Sequence, residues 1–173
     1  KLAWRNVGKY YQQQEEYLLK AMEMVEILSS LNLDKDSLVT AFLTPLLESS
    51  LISKDFVDEH YNKKVVMLCQ GVEQMEAIKG LGQPNANNSA NQSTVLSSNK
   101  VDNIRRMLLA MVEDVRAVVI KLAERLCDLR EQKNKDEESR VLAAKESANI
   151  YAPLANRLGI GQLKWELEDI SFR

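Results

Sequence analysis

The sequence has one histidine, two cysteines and three prolines, and these shortages exclude several kinds of site. His60 has no second histidine to share a metal with, so a two-histidine metal site cannot form within one chain, and we expect an exposed structural histidine. Neither GxxxxGKS/T nor GxGxxG occurs, which removes the two common phosphate-binding loops. Cys69 and Cys127 lie far apart in apolar stretches, which predicts two buried thiols rather than a zinc or redox site.

The sequence also lacks a strong excess of positive or negative charge, and it lacks long apolar runs. Lys and Arg number 23 against 25 Asp and Glu, for a net charge of -2, so no overall basic field attracts nucleic acid. No stretch reaches the ~18 apolar residues of a membrane span, and the N-terminus lacks the apolar core of a signal peptide. We expect a cytoplasmic protein that binds neither membranes nor, directly, nucleic acid. The start at Lys1 and the helical pattern still open at Arg173 suggest part of a longer protein.

Apolar residues recur at helical spacing over most of the 173 residues, and strand signals are weak. This pattern predicts an all-α fold. The strongest helical pattern runs from Val101 to Glu131. The polar, low-complexity stretch at 82–100 is predicted to be a mobile insertion within one domain.

Local signals place several helix boundaries. Asp34 and Ser53 are predicted N-caps, and Pro45 is predicted to end or kink its helix. A further helix from about Glu137 to Ala155 is predicted to kink at Pro153. We expect two glycines, Gly159 and Gly161, to end it.

Carboxylates are the plentiful chemical group. Glu124 and Asp128 are four residues apart and share one helix face. The simplest interpretation is a solvated face, with Glu124 paired to Lys121 or Arg125. A carboxylate-only Mg²⁺ site is the alternative, since hard cations accept oxygen ligands alone. Its candidates are Glu48, Glu113, Asp114, Glu124 and Asp128.

Four stretches together resemble the RelA/SpoT family of (p)ppGpp synthetases and hydrolases. They are 101–111, 119–126 (VIKLAERL), 151–160 (YAPLANRLGI) and 164–169 (KWELED). The resemblance covers nearly the whole chain apart from the Asn/Ser-rich insertion. It implies a helical bundle of the HD-domain type over residues 1–157, and over 158–173 the start of a connection to a following synthetase domain.

In active members of this family, the HD domain holds a manganese ion and removes the 3′-pyrophosphate of (p)ppGpp. The resemblance puts the family's two metal-binding histidines on Lys20 and Thr44, and its two aspartates on Pro45 and Glu124. An ammonium repels a cation, and proline offers no side-chain ligand. The resemblance therefore implies a domain without a metal, a cofactor or catalytic residues.

Other pocket positions are altered as well. The acidic pair that activates water in active members keeps one carboxylate, and the basic pair that holds the nucleotide is lost. An aspartate replaces the family's asparagine, which would repel an anionic nucleotide. The acidic pair falls on Glu48 and Ser49, and the basic pair falls on Tyr11 and Gln12. The family's His–Asn pair falls on Cys127 and Asp128.

The implied function is that of an inactive, regulatory hydrolase-like domain in a GTP pyrophosphokinase, an enzyme of the stringent response. Its expected partner is the synthetase domain of the same chain, with ribosome and tRNA contacted only through other regions. The candidate docking residues are Pro153, Leu158, Ile160 and Trp165.

Three other interpretations stay open. The first is a (p)ppGpp hydrolase whose metal site is rebuilt from Glu48, Glu124 and Asp128. The second is a guanine-nucleotide-binding allosteric module, and the third is a plain helical interaction domain unrelated to this family.

Overall fold

A computed structural model describes residues 2–79, 114–131 and 136–171, and within these ranges the chain is helical and contains no strand. The all-α prediction is therefore confirmed. The insertion predicted at 82–100 and the first part of the predicted 101–131 helix lie outside the described residues. The helices are α1 (Leu2–Ser30), α2 (Lys35–Glu48), α3 (Lys54–His60), α4 (Lys63–Lys79), α5 (Val115–Glu131), α6 (Glu137–Glu146), α7 (Ala152–Arg157) and α8 (Gly161–Ser171), with a π-helical turn at Ser147–Tyr151 between α6 and α7.

The chain divides into two compact units, residues 1–70 and 71–173, and the boundary falls within α4. In the first unit, three buried side chains form a small core between α2, α3 and α4, namely Leu43, Val57 and Val65. The apolar side chains that pack against this core are Val39, Leu47, Ile52, Val66 and Cys69.

The helix ends of the first unit follow ordinary capping chemistry. Ser53 is the N-cap of α3, and its side chain accepts a hydrogen bond from the Phe56 N–H at 3.1 Å, as predicted. Asp34 stands at the N-cap of α2, but its carboxylate accepts from Ser37 Oγ at 2.5 Å instead of capping a backbone N–H. Asn32, with φ +56°, adopts the left-handed conformation that ends α1.

Pro45 does not end its helix, and that part of the prediction is wrong. The helix α2 continues through Pro45 to Glu48, and the Ser49 N–H donates to the Pro45 carbonyl at 3.1 Å. A proline inside a helix removes one N–H donor and crowds the preceding turn. Here Thr44 and Pro45 are both buried, so packing of this turn outweighs the loss of one hydrogen bond.

The second unit is organised around α5, in which every residue from 117 to 127 is buried. A helix buried on all sides is central to its domain, since a surface helix would keep a solvated face. The π-helical turn, α7 and α8 supply further buried side chains to this unit. These include Tyr151, Ala152, Leu154, Ala155, Leu163 and Leu167.

The break after α6 comes earlier than Pro153, where it was predicted. The helix widens at the π-helical turn, in which the Ala152 N–H donates to the Ser147 carbonyl, five residues back. Pro153 then lies in the first turn of α7, where a missing N–H costs little. Gly159, with φ +74°, follows the end of α7 as expected, whereas Gly161 begins α8 and does not end a helix.

No described helix is both long and apolar enough to cross a membrane.

Candidate functional site

The central helix α5 carries three charged side chains inside the protein. Lys121, Glu124 and Arg125 are 3%, 3% and 6% exposed, among apolar neighbours such as Val118 and Leu122. Burying a charge is costly unless it is paired and hydrogen-bonded. Each of these three residues meets a partner, and the partners define the candidate site.

Lys121 is the centre of the first cluster, which we call the ammonium cluster (Glu76, Lys121 and Glu124). Its Nζ donates to Glu124 Oε2 at 2.9 Å and to Glu124 Oε1 at 3.1 Å, and it also donates to Glu76 of α4. Burial by itself would lower the pKa of Lys121. The carboxylates of Glu124 and Glu76 outweigh this effect and raise the pKa above its ordinary value, so the side chain stays a cation.

This arrangement corrects one prediction and confirms part of another. Glu124 does not lie on a solvated face, because α5 is buried on all sides at this point. The expected ion pair with Lys121 is present. Arg125, the other predicted partner of Glu124, forms its ion pair with Glu146 instead.

Arg125 belongs to a second buried cluster, which links α5 to the π-helical turn. Its Nη2 donates to a carboxylate oxygen of Glu146 at 2.7 Å and to the Ala143 carbonyl at 3.3 Å. Its guanidinium carbon lies 5.5 Å from the centre of the Tyr151 ring, a cation–π distance. Burial, reinforced by the nearby Glu146 carboxylate, raises the pKa of Tyr151 to about 12.

Two polar atoms in this second cluster are buried without a hydrogen-bond partner. They are Arg125 Nε and Ser147 Oγ. Buried polar groups are nearly always paired, so two unpaired atoms at one helix junction need an explanation.

The residues assigned by resemblance to metal-ligand positions do not suit a manganese ion. Thr44 is buried, and its hydroxyl donates to the Thr40 carbonyl at 2.8 Å, so this proton is used within α2. Pro45 has no donor atom in its side chain. Lys20, half-buried in α1, carries a cation, and Glu124 already holds the Lys121 ammonium. Metal ligands must be deprotonated or neutral donors, and the side chains of Lys20 and Pro45 offer neither.

The remaining predicted pocket residues fall in both units. Glu48 is the exposed last residue of α2, and Ser49 follows it, with its Oγ donating to the Leu46 carbonyl at 3.1 Å. Tyr11 and Gln12 lie in α1, and their side chains are outside the described residues. In the second unit, Cys127 is fully buried and Asp128 is half-buried, both on α5.

Other candidates from the sequence have ordinary structural roles. His60 is exposed, as predicted: its ring stacks on Phe56 at 4.2 Å, and its Nδ1 lies 2.9 Å from the Phe56 carbonyl. Asp114 forms a 2.5 Å ion pair with Arg116, whose side-chain hydrogen bonds hold the pKa of that carboxyl below its ordinary value. The neighbouring candidate Glu113 lies outside the described residues.

The docking candidates differ in exposure. Trp165 of α8 is 68% exposed, whereas Pro153, Leu158 and Ile160 are half-buried. The ammonium of Lys164 lies 5.4 Å from the Trp165 ring centre. Trp165 is therefore the candidate with a large apolar surface facing solvent.

Sequence reasoning missed Glu76, Glu146 and Tyr151 as members of the buried clusters. Glu76 and Glu146 are each more than twenty residues from the side chain they pair with on α5. A signal was available in α5 itself, where charged residues interrupt a stripe of apolar ones. Such charges in a buried helix require partners from other segments.

Comparison with known proteins agrees with this architecture. The HD domain family matches residues 2–161. The chain is 56% identical to the GTP pyrophosphokinase of Escherichia coli (strain K12) over 156 residues, which are 90% of the chain and 20% of that protein. It is 36% identical to the GTP pyrophosphokinase of Myxococcus xanthus over 166 residues, 96% of the chain and 21% of the relative.

A protein with a hydrolase name matches as well. The guanosine-3′,5′-bis(diphosphate) 3′-pyrophosphohydrolase of Vibrio cholerae serotype O1 is 32% identical over 158 residues, 91% of the chain and 21% of the relative. The chain spans about a fifth of the length of these relatives. The chain therefore belongs to the HD domain family, as an HD domain of the RelA/SpoT type.

Proposed function

We propose that this chain is a hydrolase-like domain that has lost its metal site and regulates a GTP pyrophosphokinase. The parent enzyme would transfer pyrophosphate from ATP to GTP through another domain. The relatives named GTP pyrophosphokinase, at 56% and 36% identity, support this assignment over the hydrolase name at 32%.

The observation that carries the proposal is the ammonium cluster. Glu124 is the one residue at the four family metal positions that offers a carboxylate, and its two oxygens accept hydrogen bonds from Lys121. A cation approaching Glu124 would have to displace a buried ammonium that two carboxylates stabilise. Metal-assisted hydrolysis needs a cation to polarise the phosphate and to acidify water.

A domain without a catalytic site can still act through its surface. Trp165 presents a large apolar ring to solvent at the second turn of α8. Exposed aromatic side chains are enriched at the centres of protein interfaces. We therefore assign Trp165, with Pro153, Leu158 and Ile160 beside it in sequence, to the contact with the synthetase domain.

Metal content and hydrolysis, measured on one purified sample, test the inactive state. The full-length enzyme is titrated with Mn²⁺, and pyrophosphate release from (p)ppGpp is followed. The Vibrio cholerae relative serves as the active control. We expect neither bound metal nor release above background. Stoichiometric Mn²⁺ with turnover would contradict the proposal and would favour a rebuilt carboxylate site, to be tested with Glu124→Gln.

The regulatory part is tested in the same enzyme. Trp165→Ala should change basal or stimulated (p)ppGpp synthesis. Val141→Ala, at another apolar position that is 45% exposed, is the matched control. Equal synthesis by Trp165→Ala, the control and the wild type would contradict the docking role.

A further inference from the structure

The Ala143 carbonyl is the centre of the second buried cluster and receives two hydrogen bonds. One comes from the Ser147 N–H, at the junction of α6 and the π-helical turn. The other comes from Arg125 Nη2 of α5, at 3.3 Å. A carbonyl oxygen has two lone pairs, so both acceptor positions are used.

This double occupation explains why Ser147 Oγ has no partner. A serine within a helix commonly donates its hydroxyl proton to the carbonyl four residues earlier, which here is Ala143. Arg125 already takes that position, and Ser147 is fully buried. The Arg125 Nε is likewise unpartnered, so this arrangement leaves one polar atom on each competitor unsatisfied.

We propose that the π-helical turn Ser147–Tyr151 is a two-state element in which Arg125 and Ser147 compete for the Ala143 carbonyl. In the state described here, Arg125 donates hydrogen bonds to Ala143 and Glu146, which precede the π-helical turn. It also forms a cation–π contact with Tyr151, the last residue of the turn. In the other state, Arg125 withdraws, the Ser147 hydroxyl takes its place on Ala143, and the segment relaxes toward regular α-helical geometry.

The element is placed to relay a change at α5 to the helices that follow. Arg125 is adjacent to Glu124, so a shift of the ammonium cluster moves Arg125 with it. The π-helical turn leads directly into α7 and then α8, which carries Trp165. A change of one turn between π and α geometry rotates the helices that follow it, so a small displacement of α5 would move α7 and α8.

A double-mutant cycle on this chain tests the competition through thermal unfolding. With Arg125 present, Ser147→Ala removes an unsatisfied hydroxyl and should raise the Tm by about 2 °C. With Arg125→Met, the hydroxyl has gained the Ala143 carbonyl, and the same Ser147→Ala change should lower the Tm by a similar amount. Amide exchange at 147–152 should also change in Arg125→Met, because the π hydrogen bond of Ala152 is lost.

Equal effects of Ser147→Ala in the two backgrounds would overturn the proposal, because a merely structural Arg125 predicts additivity. If Arg125→Met does not fold, Glu146→Gln is the second background, since it weakens the hold on Arg125 without emptying its space. The gain from Ser147→Ala should then shrink, and an undiminished gain would overturn the proposal. Arg140→Met, at an exposed arginine of α6, is the control that must leave the gain intact.

Discussion

The ammonium of Lys121 lies 2.9 Å from Glu124 Oε2 within α5, and the two side chains are 4% and 3% exposed. Residues three apart on a helix are neighbours, so this pair forms within a single element. The pair is nevertheless fully desolvated, unlike the usual ion pairs of helix surfaces. A buried pair adds little net stability compared with apolar side chains, but removing one partner strands the other charge.

Replacing Lys121 should therefore lower the free energy of unfolding of the domain. We expect Lys121→Met to cost about 3–5 kcal/mol of unfolding free energy, because Glu124 would be left as an unpaired buried carboxylate. Chemical denaturation followed by circular dichroism measures this loss. Lys145→Met, at an exposed lysine of α6, should change stability by less than about 0.5 kcal/mol.

A rescue variant separates charge from packing. Adding Glu124→Gln to Lys121→Met removes the stranded carboxylate, and the remaining Glu76 is partly exposed at 42%. The double variant should be more stable than Lys121→Met alone. If the double variant were equally unstable, the loss would come from packing of the lysine stem, and the electrostatic explanation would be wrong.

Stability should fall at alkaline pH in a way that depends on Tyr151. Folding raises the pKa of Tyr151 to about 12, from an ordinary value near 10. The protonated form is thus favoured in the folded state, so its contribution is complete below about pH 10 and lost as the pH rises toward 12. The raised pKa of Lys121 acts in the same direction.

The measurement is the denaturation midpoint between pH 9 and 12 (about the range set by the tyrosine pKa). Tyr151→Phe should flatten the decline, whereas Tyr61→Phe, at an exposed tyrosine, should keep the wild-type profile. Identical profiles for Tyr151→Phe and the wild type would contradict this prediction.

Asn62 should tie α2 to the start of α4. Its Oδ1 accepts from the Val65 N–H at 3.0 Å, and its Nδ2 donates to Asp36 Oδ1 at 3.0 Å. Asn62→Ala should cost about 1 kcal/mol, the usual value for losing an N-cap. Asn62→Asp keeps the cap acceptor but sets two carboxylates against each other.

The two Asn62 variants differ in their dependence on pH. Asn62→Asp should be destabilised at pH 7 and recover as acid protonates the carboxylates, whereas Asn62→Ala should show no such recovery relative to wild type. Urea denaturation at pH 7 and at acidic pH measures the difference in stability between the two variants. Parallel behaviour of the two variants would mean that the contact with Asp36 contributes nothing.

Local patterns predicted most of the described helices, because helical periodicity and caps act over a few residues. Ser53 caps α3 as expected, and α6 begins at Glu137, where the sequence predicted a helix start. The errors arose where packing outweighs propensity. Pro45 stays helical within a buried turn, and the π-helical turn at Ser147 forms beside Arg125, a residue twenty-two positions earlier in the chain.

The buried clusters were harder to predict than the helices. The Lys121–Glu124 pair could be anticipated from its spacing along one helix. The contacts of Lys121 with Glu76 and of Arg125 with Glu146 join separate helices, and periodicity carries no information about such pairings. Burial of Glu124 followed from the central position of α5, which packs against α6, the π-helical turn and α8.

The ammonium cluster also restricts how this domain can diverge. Lys121 and Glu124 are both buried, so each is tolerated only in the presence of the other, and a change at one of them selects for a compensating change at the second. Homologous sequences that replace Lys121 by a neutral residue should therefore have replaced Glu124 as well. Substitutions at these positions should therefore be correlated among homologues, even where the surrounding apolar residues vary independently.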